Sequence, residues 1–471
     1  MPWNALAVEA VLGLWILVLL IADALAPASK RLWVLALAGI FAAAAALAWA
    51  RPAWHGQLVQ GMFVADAFAA YFKGLLLLTG ALVILMTRRF APLSNATGAF
   101  YMLLFTALLG GSVLASVHDF LMLFIGLELL TFSLYIMTAY LKTDRRSIEA
   151  GMKYLILGSV SSAFLVYGIA LVYGFAGGTS FAAVTKALES PLTPAAAQTG
   201  FFLILAGLSF KIAALPFNLW VPDVYEGAPT PVVAMLSVGS KMSGMVALIR
   251  VLYGVLLPLQ GLWGLLLPVL AAGTMVYGNL GALPQTNIKR LLGYSSIGHA
   301  GYLLMGLATA TPEGLFAVGY YLLAYLFSSL AVFFAVVLVS DSVGGDTLED
   351  YNGLSQRSPL LAGVLFVGLL SLAGVPPLAG FVGKLLVLLA ATESRMLWLV
   401  ALGAVNVAVS LYYYLMVVKR MYLGQPRSPA LISVDPVSTG ALIILTAGIV
   451  LIGVFQDPFL EQIRASLAFS Q

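Results

Sequence analysis

Four ionisable residues stand inside stretches that are otherwise apolar: Glu128 in LFIGLELLTFSLY, Lys211 in AGLSFKIAALPFNLWVPD, Lys241 in AMLSVGSKMSGMV and Lys384 in GVPPLAGFVGKLLVLL. A charged side chain at the centre of a lipid bilayer costs roughly 2.5–3.5 kcal/mol, so each needs a partner, water or a use. A single buried lysine is as well explained by a structural ion pair as by function. Three lysines against one glutamate cannot all be neutralised in pairs, and that excess points to proton exchange. A carboxylate that approaches a buried lysine favours its protonated form, and one that withdraws favours release. His299, in YSSIGHAGYLLMG, could relay protons, because imidazole titrates near neutrality and both ring nitrogens can bond. A hydrogen-bonded packing histidine fits that position equally well.

Prolines accompany two of these charges. Pro216 cannot donate to the carbonyl of Ile212, and Pro376 and Pro377 free those of Leu372 and Ala373. Polar backbone at membrane depth is tolerated beside a hydrated cavity or where neighbouring helices satisfy it, so a water site and a packing kink both account for the breaks. Ser240, Ser295, Ser296 and Tyr302 could hold water, although such residues are also ordinary interhelical contacts. Asp223 and Glu226 read as a solvated turn. Lys73, Asp66 and Arg250 lie closer to helix ends, where snorkelling to the interface suffices.

The elements that must position these residues are membrane spans. Of 471 residues, 62% are hydrophobic and 9% charged, with a mean hydropathy of +1.03, which leaves too little polar surface for soluble domains. Apolar runs bounded by charge, glycine and proline predict fourteen helices near 5–25, 32–50, 67–87, 98–117, 119–140, 150–175, 199–222, 230–256, 262–283, 288–310, 313–340, 358–392, 396–420 and 437–456. The first run lacks a basic leader and reads as a span, not as a removable signal. The chain has no cysteine and three histidines, so thiolate metal sites and iron–sulfur ligation are excluded and any redox cofactor belongs elsewhere. A net charge of +4, spread over many short loops, speaks against a nucleic-acid partner.

Loops after odd-numbered helices carry fourteen basic residues (Lys30, Arg31, Arg88, Arg89, Lys142, Arg145, Arg146, Lys153, Lys289, Arg290, Arg357, Lys419, Arg420 and Arg427). The opposite side carries four, Arg51, Lys186, Arg395 and Arg464. The positive-inside rule places the odd loops in the cytoplasm and both termini outside. An internal repeat is also visible. YLILGSVSSAFLVYGIALVY from Tyr154 aligns without gaps on YLLAYLFSSLAVFFAVVLVS from Tyr321, and the same offset brings the Pro216 break close to the Gly374–Pro377 break. The expected fold is an all-α polytopic membrane protein with two inverted five-helix repeats, helices 4–8 and 9–13, each containing a broken helix, numbers 7 and 12. The corresponding units are residues 1–97, 98–256, 257–421 and 422–471. Lys211 precedes its proline and Lys384 follows its pair, so the two lysines are not repeat equivalents.

The motifs GLELLTFSLY, EAGMKYLILGSVSSAFLVYG, FKIAALPFNLWVPDVYEGAPTPVVAMLSVGSK, QTNIKRLLGYSSIGHAGYLL and LSLAGVPPLAGFVGK together resemble the antiporter-like membrane subunits of NADH-quinone oxidoreductase, respiratory complex I. The resemblance runs from about helix 4 to helix 13. It implies that the conserved ionisable positions are Glu128, Lys211, Lys241 and Lys384. A lysine at 384 sets the chain apart from the M branch, and its end soon after helix 14 from the L branch, which leaves the N branch nearest. Where many relatives have a histidine after the Pro-Phe of helix 7, this chain has Asn218, which can orient water but not titrate. The resemblance further implies proton movement from cytoplasm to outside across a bacterial inner membrane. Electron transfer would drive it, with NADH, FMN, iron–sulfur clusters and quinone all in partner subunits and no cofactor in this chain. M, K and J-like subunits would be its neighbours, beside the lipid bilayer. Multisubunit cation/proton antiporters, membrane-bound hydrogenases and a passive scaffold are the competing readings.

Overall fold

The computed structural model describes residues 3–26, 29, 31–93, 97–190, 193–426, 428 and 430–467. Lys30 and Arg427, two of the charges used for sidedness, lie outside the described residues. The chain opens with α1 (Ala7–Leu25) and α2 (Leu32–Trp49), a hairpin of β1 (His55–Val59) and β2 (Phe63–Asp66), and α3 (Ala67–Arg89). The first repeat follows: α4 (Thr97–Ala115), α5 (Phe120–Thr138), α6 (Arg145–Ala176), the short α7 (Phe181–Leu188), α8 (Ala195–Ile212), α9 (Val221–Gly227), α10 (Thr230–Ala234) and α11 (Lys241–Gly254). The second comprises α12 (Gln260–Ala282), α13 (Ile288–Ala308), α14 (Pro312–Val343), the one-turn α15 (Leu354–Arg357), α16 (Pro359–Ala373), α17 (Ala379–Glu393) and α18 (Leu397–Leu423). The described chain closes with α19 (Pro436–Val454) and the amphipathic α20 (Asp457–Leu467).

Twelve helices, counting α10–α11 as one, are long and apolar enough to cross a membrane. The polar α13 and the broken α16–α17 pair complete the fourteen predicted spans. Helix starts follow local chemistry. Asp66, Asp119, Asn287 and Asp435 each accept a backbone N–H of the following turn, at 2.8, 2.7, 3.1 and 3.4 Å, which satisfies donors that a helix start leaves free. Two predicted spans are each divided. The run 199–222 becomes α8 and α9, and 358–392 becomes α16 and α17. The hairpin β1–β2, α7 and α20 were not predicted; they are short and hug the ends of the spans.

The repeat is explicit in the backbone. α6 and α14 have 32 residues each and both end on a left-handed glycine, Gly177 and Gly344, whose N–H bonds the carbonyl four back at 2.8 Å. Asp119 pairs with Ser180, and Asn287 with Thr347, as isolated antiparallel bridges. The first bridge lies on the even-loop side and the second on the odd-loop side, so the second unit runs inverted. The contacts also sort the loops by side: Arg88 and Arg89 meet Asp435, and Lys153 and Arg290 meet Asp223, all of them in or beside odd loops.

Burial places the core. The α10–α11 span is fully buried and 94% of the α14 window is buried, against 28% for α6. α6 turns Ile156, Val160 and Tyr167 outward, as a lipid-facing helix should, since acyl chains are as apolar as they are.

The snorkelling reading of Lys73, Asp66 and Arg250 is corrected. Lys73 is buried and pairs with Glu9 of α1 at 2.8 Å. Arg250 is buried, grips both Asp66 oxygens at 2.7 Å and donates to the Ala115 carbonyl. Each cation sits on a helix covered by a neighbour, so its tip has no route to the interface and needs a counter-ion inside. The solvated turn expected at Asp223 and Glu226 is instead the helix α9, with both carboxylates tied by cations.

Candidate functional site

The two breaks set the site. α8 ends where Ala213 takes a left-handed φ of 64°, and the N–H groups of Ala213 and Ala214 turn back to the carbonyls of Phe210 and Ser209. α16 ends the same way on Gly374, φ 90°. With these two residues as the common anchor, Lys211, two positions before Ala213, corresponds to Leu372 in the second repeat. Lys384, ten after Gly374, corresponds to Asp223 in the first. The repeats thus carry their charges on opposite sides of the break, which fits the failure of the two lysines to align.

Lys211, Lys241 and Lys384 are each about 3% exposed or less, and among the described residues no carboxylate lies within ion-pair distance of any of them. Each ammonium is held by neutral oxygens. Lys211 donates to Thr131 Oγ1 at 2.9 Å and reaches Tyr154 Oη at 3.5 Å. Lys241 donates to the Ser296 carbonyl. Lys384 donates to the Ala373 carbonyl at 2.8 Å and reaches Ser410 Oγ at 3.5 Å. The Ala373 carbonyl is one that Pro377 leaves free, so the break supplies the acceptor for its own lysine. Such a cation keeps a hydrogen-bonding nest without a fixed counter-charge, an arrangement compatible with gaining and losing a proton.

Glu128 is half-buried on α5 and accepts from Ser162 Oγ of α6 at 2.5 Å. It makes no ion pair with Lys211, but both line one small cavity with Thr131 and Ser162, of about 20 Å³. That is room for roughly one water.

Between Lys241 and Lys384 runs a hydroxyl and imidazole network. His299 is buried, with Nδ1 at 2.7 Å from Tyr321 Oη and Nε2 at 3.2 Å from Tyr414 Oη. Tyr414 in turn bonds Ser295. Tyr325 stands beside the His299 ring at 5.0 Å and bonds Ser237 at 2.8 Å. Ser237 belongs to a π-helical turn, Met235–Ser240, that ends immediately before Lys241; such turns recur at functional sites. Lys384 sits over the ring of Tyr302, 5.1 Å from its centroid, and Tyr302 stacks on Tyr321. The structure therefore places Lys241, His299 and Lys384 along one buried polar axis, and groups Lys211 with Glu128 at a separate small cavity. Sequence reasoning did not single out Thr131, Tyr154, Tyr321, Tyr325 and Tyr414. Tyr321 and Tyr325 carry a signal in their spacing of four, which puts two hydroxyls on one helix face. Asn218 is buried, and neither of its side-chain atoms is bonded among the described residues.

The family described as NADH:quinone oxidoreductase/Mrp antiporter, TM, matches residues 117–410, which include Glu128, Lys211, Lys241, His299 and Lys384. The chain belongs to that family. Within it, the protein named NADH-quinone oxidoreductase subunit N from Desulforamulus reducens is 42% identical over 409 residues, 86% of each chain. NAD(P)H-quinone oxidoreductase subunit 2 of Synechococcus sp. is 43% identical over 90% of this chain and 81% of its own. Among solved structures, a chain of respiratory complex I from Thermus thermophilus superposes with a TM-score of 0.82 at 32% identity, covering 97% of this chain and 99% of that one. The match to subunit N agrees with the branch that Lys384 indicated.

Proposed function

We propose that this chain is a proton-translocating membrane-arm subunit of an NADH-quinone oxidoreductase, moving protons from the cytoplasm to the outside while electron transfer from NADH to quinone proceeds in other subunits. The observation that carries the reading is the set of three buried lysines with no carboxylate within ion-pair distance among the described residues, two of them linked by the hydroxyls around His299 and the third sharing a water-sized cavity with Glu128, in a relative of subunit N. Lys241 takes protons from the cytoplasmic side. Lys211 is the central site, modulated through the water-sized cavity it shares with Glu128, and Lys384 passes protons toward the outside, with His299 and its tyrosines between. Units 98–256 and 257–421 act as the two halves of this path. The enzyme is the whole complex, a proton translocase, and this chain performs no redox step and holds no cofactor of its own; M, K and J-like subunits flank it. The membrane is the bacterial inner membrane, with the odd loops cytoplasmic and both termini outside, as the charge bias of the loops supports.

A second reading has support in the family's own description, which includes the Mrp antiporter. In that case cation gradients, not NADH, would drive proton movement. Inverted membrane vesicles carrying Lys211→Ala, with assembly of the complex confirmed, separate the two. The expected outcome is a fall in NADH-driven proton uptake at least as large as any fall in NADH-quinone turnover. Wild-type uptake and turnover would sink the proton route, and proton movement that needs a sodium gradient would favour the antiporter.

A further inference from the structure

α9 stands between water and the Lys241 site. On its outer side lies a cavity of about 270 Å³ lined by six charged residues: Arg146, Glu149, Lys153, Asp223, Glu226 and Arg290. Asp223 and Glu226, three apart on α9, face that cavity and are each about a third exposed. The residue between them and on the far side, Tyr225, is 1% exposed and accepts from Ser296 Oγ at 3.2 Å. Ser296 is the residue whose carbonyl holds Lys241. One short helix thus presents carboxylates to solvent and a hydroxyl to the buried lysine's own partner. A helix with its side chains is only about 10–12 Å across, so the carboxylates and the Tyr225 hydroxyl stand about one helix width apart.

Four cationic contacts hold α9 in place. Arg290 of α13 bridges Asp223 at 2.7 Å and Glu226 at 3.0 Å, and Lys153 of α6 bonds Asp223 at 2.7 Å while also pairing with Glu149. Lys289, beside Arg290, donates to the Ala228 carbonyl just past α9 at 3.2 Å. The ends of α9 are unconstrained by longer secondary structure, because the break at Pro216 precedes it and Pro229 follows. α9 buries Val221, Val224 and Tyr225 on its inner side, so what holds its outer face is the set of partly exposed ion pairs, the weakest of its contacts.

We propose that α9 is the partition at the proton entrance of this chain: Asp223 and Glu226 anchor it at the aqueous cavity, and the Arg290–Lys153 clamp on them sets how often α9 shifts to let water reach the Tyr225–Ser296–Lys241 contact. The proposal rests on reading Lys241 as the uptake group, but its central test does not. The chain lacks cysteine, so Ser296→Cys provides the one thiol of this subunit. Its rate of modification by a small water-soluble methanethiosulfonate, added to inverted vesicles of the assembled complex, reports water access behind α9. The rate should be slow with the clamp intact and should rise roughly fivefold in Arg290→Gln, the scale on which losing partly exposed ion pairs shifts an opening equilibrium. Arg290→Lys should bring it part of the way back. If the Arg290→Gln complex fails to assemble, Lys153→Gln, at the more exposed end of the clamp, carries the same expectation. A modification rate indifferent to both clamp variants overturns the partition. Proton uptake in Lys241→Ala, measured alongside, judges the other reading: unchanged uptake removes Lys241 from the path whatever the thiol reports.

Discussion

A buried cation can be structural or can carry protons, and in this chain its partner separates the two. Lys73 and Arg250 have carboxylates at 2.8 and 2.7 Å, whereas Lys211, Lys241 and Lys384 donate to hydroxyls and carbonyls and, among the described residues, have no carboxylate within ion-pair distance. The carboxylate-bound cation is fixed in its charged form. The other kind can alternate, provided the side chain is one that releases protons at all. Lysine is and arginine is not, since a guanidinium stays protonated at any working pH. Lys384→Arg in the assembled complex is therefore more telling than removal of the charge. It keeps a cation near the Ala373 carbonyl and the Tyr302 ring, and under the proposed route it should lower the ratio of protons moved to NADH oxidised as much as Lys384→Ala does. A structural cation would tolerate arginine far better than alanine, so a proton ratio restored by arginine removes Lys384 from the route. Vesicle proton uptake set against quinone reduction gives the ratio.

The broken helices decide where those side chains point. Gly374 combines a left-handed φ of 90° with close approach: a Cβ there would lie 2.8 Å from Cδ of Lys384 and 3.6 Å from its Nζ. Gly374→Ala should cost roughly 1–2 kcal/mol from the backbone alone and push Lys384 off the Ala373 carbonyl. Complex stability should fall modestly, seen as earlier thermal dissociation in detergent, while the proton ratio falls markedly; an unaltered ratio would mean that the position of Lys384 is not critical. Much of this element scale was legible in the sequence. Hydropathy placed the spans because lipid demands about 20 apolar residues from each, and twelve helices among the described residues meet that demand; Pro216, Pro376 and Pro377 marked both breaks because proline withdraws a donor. The ion pairs of Lys73 and Arg250 were not legible. Glu9 and Asp66 lie 64 and 184 residues from those cations in the chain, and nothing local in a membrane helix tells a snorkelling cation from a covered one. The tyrosines around His299 were hidden for a related reason: in an aromatic-rich chain a hydroxyl declares itself only when its partner from another helix is known.

At the scale of the molecule, α1 to α3 lie outside both repeats and must be attached to them. Interhelical attachment in a bilayer lacks the hydrophobic drive available in water, which leaves packing and polar contacts to supply it. Glu9 bridges Lys73 of α3 and Ser112 of α4, at 2.8 and 2.5 Å, and so ties the first span both to its neighbour and to the first repeat. Trp15 adds a bond to the Leu35 carbonyl across α1 and α2 at 2.9 Å. Breaking a buried ion pair from one side strands the other charge and typically costs about 3–5 kcal/mol, whereas replacing both partners by apolar residues of similar volume is often neutral. Glu9→Met alone and Lys73→Met alone should each reduce the amount of subunit found in the assembled complex, and the double replacement should recover most of it. Because neither residue belongs to the polar axis, the recovered double variant should pump with the wild-type ratio of protons to NADH. Immunodetection of the subunit in purified complex, followed by vesicle proton uptake, checks both halves. A double variant that assembles fully yet pumps poorly would move Glu9 and Lys73 from the scaffold into the proton path, and the distinction drawn between paired and unpaired cations would fail with them.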